Sequence, residues 1–248
     1  MSSPGYAPYH PQLEPVPWAD GIWTVEGPEV CYKLTGITLP CPTRMTVVKL
    51  PCGMLWLHSP VAYTVPLAQA LSDLGEVAAI IAPNSYHHLN VDRWAQGFPS
   101  AEVHASPDLL RKYKQSVRWH ALGSTPAPLW TGCLAQLPVD LGRFKEFVFF
   151  HKTTRTLVVT DLMQNFEQSR VANRLTRLIL RIGGATGPVG TTSIEIRLAA
   201  IGRKAELRAA IRQMLDWQPT SVILSHGQNF KIDAATEIKR AFAWTGTA

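Results

Sequence analysis

The sequence predicts an α/β fold in which two β-sheets pack face to face and helices cover both outer faces. Two blocks of strands each contain a clear hairpin, at residues 45–58 and 147–159. Helical segments follow each block, at 64–75 in the first half and at 166–182 and 203–217 in the second. Because each sheet must bury a face against another element, this order of strands and helices favours a layered sandwich.

The remaining elements follow from local signals. Thr64 and Gly75 are typical of the start and the end of the first helix. Ser106 and Pro107 start a helix that we expect to reach about Gln115, and the stretch 121–142, which contains Pro126, Pro128 and Pro138, is predicted to be rich in loops. Further strands are expected at 22–25, 77–82, 101–104 and 221–225, and a last helix runs from Asp233 to about Trp244.

Length and composition limit the function classes. A chain of 248 residues with 46% hydrophobic residues can form one large domain, which we place at residues 18–248, after an N-terminal arm at 1–17. No apolar run is long enough to span a membrane, and the N-terminus lacks a secretory pattern, so a cytoplasmic location is expected. The net charge of +6 suits an anionic small-molecule substrate, whereas neither a membrane nor a nucleic acid is expected as a partner.

Three apolar strands each end close to a side chain of the type that binds metals. Strand 77–82 leads to His87 and His88, strand 156–159 leads to Asp161, and strand 221–225 leads to His226. Loops at strand ends carry many functional sites, so these side chains are predicted to form a metal or catalytic site. A carboxylate at such a buried position needs a partner, which for Asp161 is a metal, a backbone N–H or an arginine.

The geometry of the second hairpin places one more carboxylate. A tight turn centred between Thr153 and Thr154 places residues opposite each other across the hairpin when their residue numbers add up to about 307. His151 then lies opposite Thr156 beside the turn, and Glu146 lies next to Asp161 at the open end. Glu146 is therefore a candidate for the site, whereas His151 is about 16 Å away along the strand.

A row of arginines marks the helix predicted at 166–182. The spacings of four, three and four residues place them on one helical face, beside an apolar stripe. This row is either a solvated face or a surface that binds an anion or a partner, and no aromatic side chains accompany it as in nucleic-acid platforms. The arginines are Arg170, Arg174, Arg177 and Arg181, and the stripe contains Val171, Leu175, Leu178 and Ile182.

Several segments together resemble the metallo-β-lactamase superfamily. They are TRMTVVKL, LWLHSP, IIAPNSYHHLN, EFVFFHKTTRTLVVTDLMQNF and VILSHGQNF, and they cover most of residues 18–230. The resemblance is closest to a branch whose domain has no assigned function. It implies a four-layer αββα sandwich with metal bound at the edge of the sheets.

The resemblance also implies a reduced ligand set. The superfamily motif His-x-His-x-Asp-His falls on residues 83–88, where His88 keeps the last histidine and His87 replaces the aspartate. The bridging aspartate matches Asp161 and the last histidine matches His226. A further aspartate at an early strand end falls on His58. One metal position has thus lost most of its ligands, and the other keeps His88, Asp161 and His226.

These residues predict a mononuclear metalloenzyme with one divalent ion, zinc or iron. Glu146 or His87 would serve as a general base or support the ligands. Hydrolysis is the default reaction by analogy with the superfamily, and an oxidative reaction at iron is an alternative. A different hypothesis is a metal-free descendant that acts as a binding or scaffold protein.

Overall fold

The computed structural model describes residues 5–34, 37–113, 117–187 and 192–246. Within these ranges, none of the helices combines the length and the apolar character that crossing a bilayer requires. The strands are β1 (Pro15–Ala19), β2 (Ile22–Leu34), β3 (Ile37–Lys49), β4 (Leu55–His58), β5 (Val77–Ala82), β6 (Glu102–Ala105), β7 (Trp119–Ala121), β8 (Leu134–Asp140), β9 (Lys145–His151), β10 (Thr156–Val159) and β11 (Ser221–Leu224). The helices are α1 (Val65–Leu74), α2 (Val91–Gly97), α3 (Pro107–Lys112), α4 (Arg174–Ile182), α5 (Ile194–Ala199), α6 (Lys204–Asp216) and α7 (Ala234–Phe242).

The strands form two sheets. In the first sheet the order is β1-β2-β3-β4-β5-β6-β7, antiparallel as far as β4 and parallel from β4 to β7. In the second sheet the order is β11-β10-β9-β8, and only the pair β10–β11 is parallel. The parallel strands β4, β5, β10 and β11 therefore direct their carboxyl ends towards loops that can carry a site.

Both sheets are covered on both faces. Trp56 and Ile81 of the first sheet pack between the sheets with Phe149 and Ile223 of the second. Residues adjacent to them in sequence, such as Leu57, face the opposite way, because side chains alternate along a strand. Helices α1 to α3 cover the outer face of the first sheet, and α5 to α7 cover that of the second. The predicted αββα sandwich is confirmed.

The two predicted hairpins are present. Strands β3 and β4 pair antiparallel, and β9 pairs with β10 with His151 opposite Thr156, as the turn geometry predicted. The stretch 121–142 is not all loop, because it contains β8. Pro138 lies within β8, at the edge of its sheet, where a residue without an N–H is tolerated.

The helix predicted at 166–182 is shorter than expected. A 3₁₀ turn covers Gln168–Arg170, and α4 begins only after Asn173, whose side chain accepts hydrogen bonds from the backbone N–H groups of two residues that follow it. Arg170 is therefore not on α4, and its guanidinium lies 4.1 Å from the ring centroid of Tyr9.

The N-terminal arm is part of the packed structure. Tyr6 is fully buried, with its ring 5.7 Å from that of Phe166, and residues Pro15–Ala19 form β1 against β2. The predicted boundary at residue 17 thus falls inside a strand. Residues 1–4 of the arm lie outside the described residues, as does Gln115, the expected end of the helix α3.

Candidate metal centre

The candidate centre lies where the ends of three strands meet. Val159 of β10 lies opposite Leu224 of β11 in the parallel pair. Asp161 and His226 each lie two residues after these paired positions, so both emerge at the same end of the sheet. The segment after β5 joins them from the other sheet, since the N–H of Phe147 donates a 3.0 Å hydrogen bond to the carbonyl of Pro83. The topology therefore brings distant parts of the sequence to one edge of the sandwich.

Three side chains form a tight cluster there. Nε2 of His87 lies 3.1 Å from Oδ2 of Asp161 and 3.1 Å from Nε2 of His226, and Nε2 of His226 lies 3.3 Å from Oδ1 of Asp161. One potential ligand atom from each of the three residues lies within 4.8 Å of the others. The side chains keep 8%, 13% and 6% of their surface exposed for His87, Asp161 and His226, so the cluster is nearly buried yet reaches solvent.

The outward nitrogens of both histidines are anchored. Nδ1 of His226 lies 2.7 Å from the carbonyl oxygen of Pro42, to which only a protonated nitrogen can donate, and 3.2 Å from Sγ of Cys41. Nδ1 of His87 lies 2.5 Å from the hydroxyl of Ser59. In a neutral His226 the proton on Nδ1 leaves the lone pair of Nε2 directed at the cluster, which is the arrangement of histidines that bind metals.

Asn84 connects the His87 loop to Asp161. Its side-chain amide donates to Oδ2 of Asp161 at 2.7 Å and to the hydroxyl of Thr160 at 3.0 Å. Its carbonyl oxygen accepts from the backbone N–H groups of Tyr86 and His87, at 2.9 and 3.1 Å. This fully buried side chain fixes the loop and the carboxylate relative to each other.

Glu146 lies behind Asp161 rather than in the cluster. Its carboxylate accepts hydrogen bonds of 2.8, 2.8 and 3.0 Å from the backbone N–H groups of Thr160, Asp161 and Leu162. Glu146 is the neighbour of Asp161 that the hairpin register predicted, but both of its oxygens are already engaged. Its contacts therefore favour a structural role in holding the Asp161 loop over the catalytic role expected from the sequence.

The charges of the cluster depend on one another. Burial alone would raise the pKa of Asp161, but the His87 and His226 imidazoles outweigh it and hold this pKa well below its ordinary value. Burial would lower the pKa of His226, but Cys41 and Asp161 together raise it well above 6.5. Burial lowers the pKa of His87, and Asp161 offsets only part of that effect. The pKa of Glu146 is raised, first by burial and then by the charge of Asp161.

His88 does not join the cluster. Its ring packs edge-on against Tyr113, with the centroids 4.7 Å apart, on the side of α2 and α3. The ligand set expected from the sequence is therefore corrected at one position, because His87 and not His88 stands beside Asp161 and His226. The two residues lie in a turn after β5, where the alternation of a strand no longer decides which ring points to the sheet edge.

His58 also lies outside the cluster. It is fully buried, with its ring 5.4 Å from that of Trp56 and 5.5 Å from that of Phe149. Neither ring nitrogen has a hydrogen-bond partner in the part of the chain that the structure describes. The residue that the resemblance aligned with an aspartate therefore packs in the core between the sheets.

Polar and aromatic side chains lie close to the cluster on its solvent side. The hydroxyl of Tyr32 donates a 2.8 Å hydrogen bond to Glu195, and the Tyr32 ring packs edge-on against Tyr86. The nearby charge of Asp161 contributes to the raised pKa of both Tyr86 and Glu195, after burial as the largest cause. None of these three residues, nor the supports Ser59, Pro42 and Asn84, was singled out from the sequence.

Comparisons with known proteins agree with this architecture. Residues 19–113 match the family model of a domain of unknown function (DUF4336), and no curated protein matches the chain. The DIM-1 metallo-β-lactamase has a TM-score of 0.64 and 13% identity, with 96% of this chain and 98% of the other covered. A metallo-β-lactamase from Pontibacter korlensis has a TM-score of 0.59 and 11% identity, with 95% and 99% covered.

A third structure is of another kind. The fragment 1–254 of a diflavin flavoprotein from Nostoc has a TM-score of 0.60 and 11% identity, and 98% of each chain is covered. Identities this low carry the fold and not the activity. Together with the two sheets and their outer helices, these similarities show that the chain has the metallo-β-lactamase fold.

Proposed function

We propose that this protein is a mononuclear metal-dependent enzyme that holds one divalent ion between His87, Asp161 and His226. The observation that carries the proposal is the close approach of the three side chains. Nε2 of His87 and Nε2 of His226 lie 3.1 Å apart, and they lie 3.1 Å from Oδ2 and 3.3 Å from Oδ1 of Asp161, respectively. Bonds of about 2.0–2.2 Å in tetrahedral geometry place ligand atoms about 3.3 Å apart. The 3.1 Å between the two Nε2 atoms and the 3.1 Å from Nε2 of His87 to Oδ2 of Asp161 are close to that separation, which suits an ion of the size of zinc.

The orientation of the two imidazoles supports the same assignment. The contacts of Nδ1 with Pro42 and Ser59 leave both Nε2 atoms facing Asp161. Hydrogen bonds of this kind fix the orientation of histidine ligands in many metal sites. Two imidazoles and one carboxylate suit zinc with an open position, and they also suit non-haem iron.

An ion bound here would supply the positive charge that lowers the pKa of a water molecule or polarises a substrate oxygen. The chain itself orients the ligands: Asn84 and Gln164 donate to the two oxygens of Asp161, and Ser59 supports His87. Glu146 keeps the Asp161 loop in place, because its carboxylate accepts a hydrogen bond from the backbone N–H of Asp161. Hydrolysis is the reaction we propose, and oxidation at iron is the alternative.

The substrate we propose is a small molecule that enters past Tyr32, Tyr86 and Glu195. Neither tyrosine is fully buried, and Tyr86 keeps 45% of its surface exposed. The acidic side chain of Glu195 on this side offers no partner to an anionic group, so we favour a neutral substrate over the anionic one that the net charge suggested. A cytoplasmic location stays a prediction.

The metal-free scaffold remains the competing function, because Asp161 also pairs with both imidazoles without any ion. Elemental analysis of the purified protein, after expression with added zinc or iron, distinguishes the two functions. We expect about one equivalent of metal in the wild type and in His88→Gln, and a loss of metal in His87→Gln. His88→Gln is a matched control, since it changes the adjacent histidine outside the cluster. Absence of metal under every loading condition would support the scaffold.

A further inference from the structure

Helix α4 turns its apolar side chains to solvent. Leu175, Leu178 and Ile182 lie on one face at spacings of three and four, and they keep 65%, 50% and 72% of their surface exposed. Leu180 is the one buried side chain of this helix. A surface helix usually packs its apolar stripe on the core, so this orientation requires an explanation.

Helix α5 extends the exposed apolar surface. The N–H of Ile194 donates a 2.7 Å hydrogen bond to the carbonyl of Gly183, which joins the start of α5 to the end of α4. Ile194, Leu198 and Ile201 follow at helical spacing and keep 46%, 59% and 70% of their surface exposed. We call these six large aliphatic side chains the α4–α5 face; five are on the two adjoining helices, and Ile201 lies just after the end of α5. They are more than the scattered exposed residues of an ordinary surface.

The charged side chains of α4 have one sign, and the nearest acidic residue of α5 is Glu195 in its first turn. The sequence contains no aspartate or glutamate between Glu167 and Glu195. Arg174 and Arg181 are exposed and form no ion pair with any residue that the structure describes. Arg197 is exposed on α5 as well. The aliphatic side chains of α4 are therefore accompanied by two exposed arginines, Arg174 and Arg181, that have no acidic partner among the described residues.

These observations decide between two occupants. A second copy docked symmetrically on the same face would bring the unpaired arginines of both chains together, which costs free energy in a desolvated interface. An anionic lipid surface accepts the aliphatic side chains at the boundary of headgroups and acyl chains and pairs its phosphates with the arginines. We propose that the α4–α5 face docks the protein peripherally on an anionic membrane.

This proposal differs from the expectation that no membrane is a partner. That expectation was based on the absence of a segment that could span a membrane. The sequence alone does not show whether the apolar stripe of α4 faces the core or the solvent. Val171, the first residue of the predicted stripe, is buried, whereas the three that follow on α4 are exposed. The inference does not depend on the metal centre, because it uses no residue of the cluster.

Co-sedimentation with lipid vesicles tests the proposal. The full chain is mixed with vesicles of phosphatidylcholine alone or with 30 mol% phosphatidylserine, at low and high salt. We expect binding to the anionic vesicles, weaker binding in 0.5 M salt, and at least tenfold weaker binding of the double variant Leu175→Glu/Leu178→Glu. The control is Ile232→Glu, which places a single glutamate at a residue 73% exposed elsewhere on the surface and should bind like the wild type.

Circular dichroism checks that each variant is folded, and Arg174→Gln/Arg181→Gln gives a second, milder variant that should reduce binding several-fold.

Three results would overturn the proposal. They are no binding to anionic vesicles, equal binding of the Leu175→Glu/Leu178→Glu variant, and a dimer of the wild type that this variant converts to a monomer. The last result would assign the face to a second copy.

Discussion

Asn84 donates a 2.7 Å hydrogen bond to Oδ2 of Asp161, although the two residues follow strands of different sheets, β5 and β10, and are 77 positions apart. The same side chain accepts from the backbone of the His87 loop. The relative position of two of the proposed ligands therefore depends on one buried amide.

We predict that Asn84→Ala weakens metal binding by about 10- to 100-fold, which is the typical effect of removing a group that orients a ligand. The measurement is the dissociation constant for zinc from a competition titration with a chelating dye. Asn90→Ala is the matched control, because the Asn90 side chain donates to the carbonyl of Pro60 and does not contact the cluster. Equal affinities of the two variants would contradict the role given to Asn84.

Glu146→Gln should destabilise the fold by about 2–4 kcal/mol. In the wild type three backbone N–H groups donate to the Glu146 carboxylate, whereas in the variant the side-chain NH2 group of glutamine faces some of these donors and cannot accept from them. The raised pKa of Glu146 offsets part of this loss, since burial already disfavours its charge. Urea unfolding of the variant gives the free energy. Glu76→Gln, at an exposed position, should change it by less than about 0.5 kcal/mol. If both variants unfolded alike, the contacts of Glu146 would not be important for stability.

The buried imidazole of His58 predicts a loss of stability in acid. Burial, and to a smaller extent His87, holds the pKa of His58 well below 6.5 in the folded chain. The unfolded chain therefore binds a proton that the folded chain does not, and stability falls as the pH decreases below about 6.5.

His58→Phe keeps the aromatic packing with Trp56 and Phe149 and removes two ring nitrogens without partners among the described residues. We expect the variant to be more stable than the wild type, and the difference to grow between pH 7.5 and pH 5. Urea unfolding at both values measures it. A difference that stays constant with pH would show that His58 does not titrate as proposed.

Removal of the ion should lower the thermal stability. Free metal at 100 times its dissociation constant stabilises the folded state by about 2.7 kcal/mol, which corresponds to about 5–10 °C in Tm for a domain of this size. Adding a chelator in differential scanning fluorimetry should produce this decrease in the wild type. His226→Gln should show no response, and an equal response would place the ion elsewhere.

Much of the fold could be predicted because it depends on local signals. The turn near Thr153 fixed the register that places His151 opposite Thr156, and the apolar strands ending before Asp161 and His226 located the site. Strand β8 was missed because Pro138 is typical of a loop, and only its edge position in the sheet makes it acceptable.

The candidate site was predicted less completely because its contacts span long distances in the sequence. The carbonyl of Pro42 lies 184 positions from His226, and no local pattern marks it. The choice between His87 and His88 depends on the turn after β5, and the direction of the apolar face of α4 depends on what packs against it. Periodicity defines a face of a helix but not which side of the molecule it meets.

The most direct test of the central claim is a crystal of the protein grown with zinc and measured at the zinc absorption edge. We predict a single strong anomalous peak per chain, at bonding distance from Nε2 of His87, Nε2 of His226 and an oxygen of Asp161. A peak bound to His88 instead, two peaks in the site, or no peak at this edge of the sandwich would contradict the account.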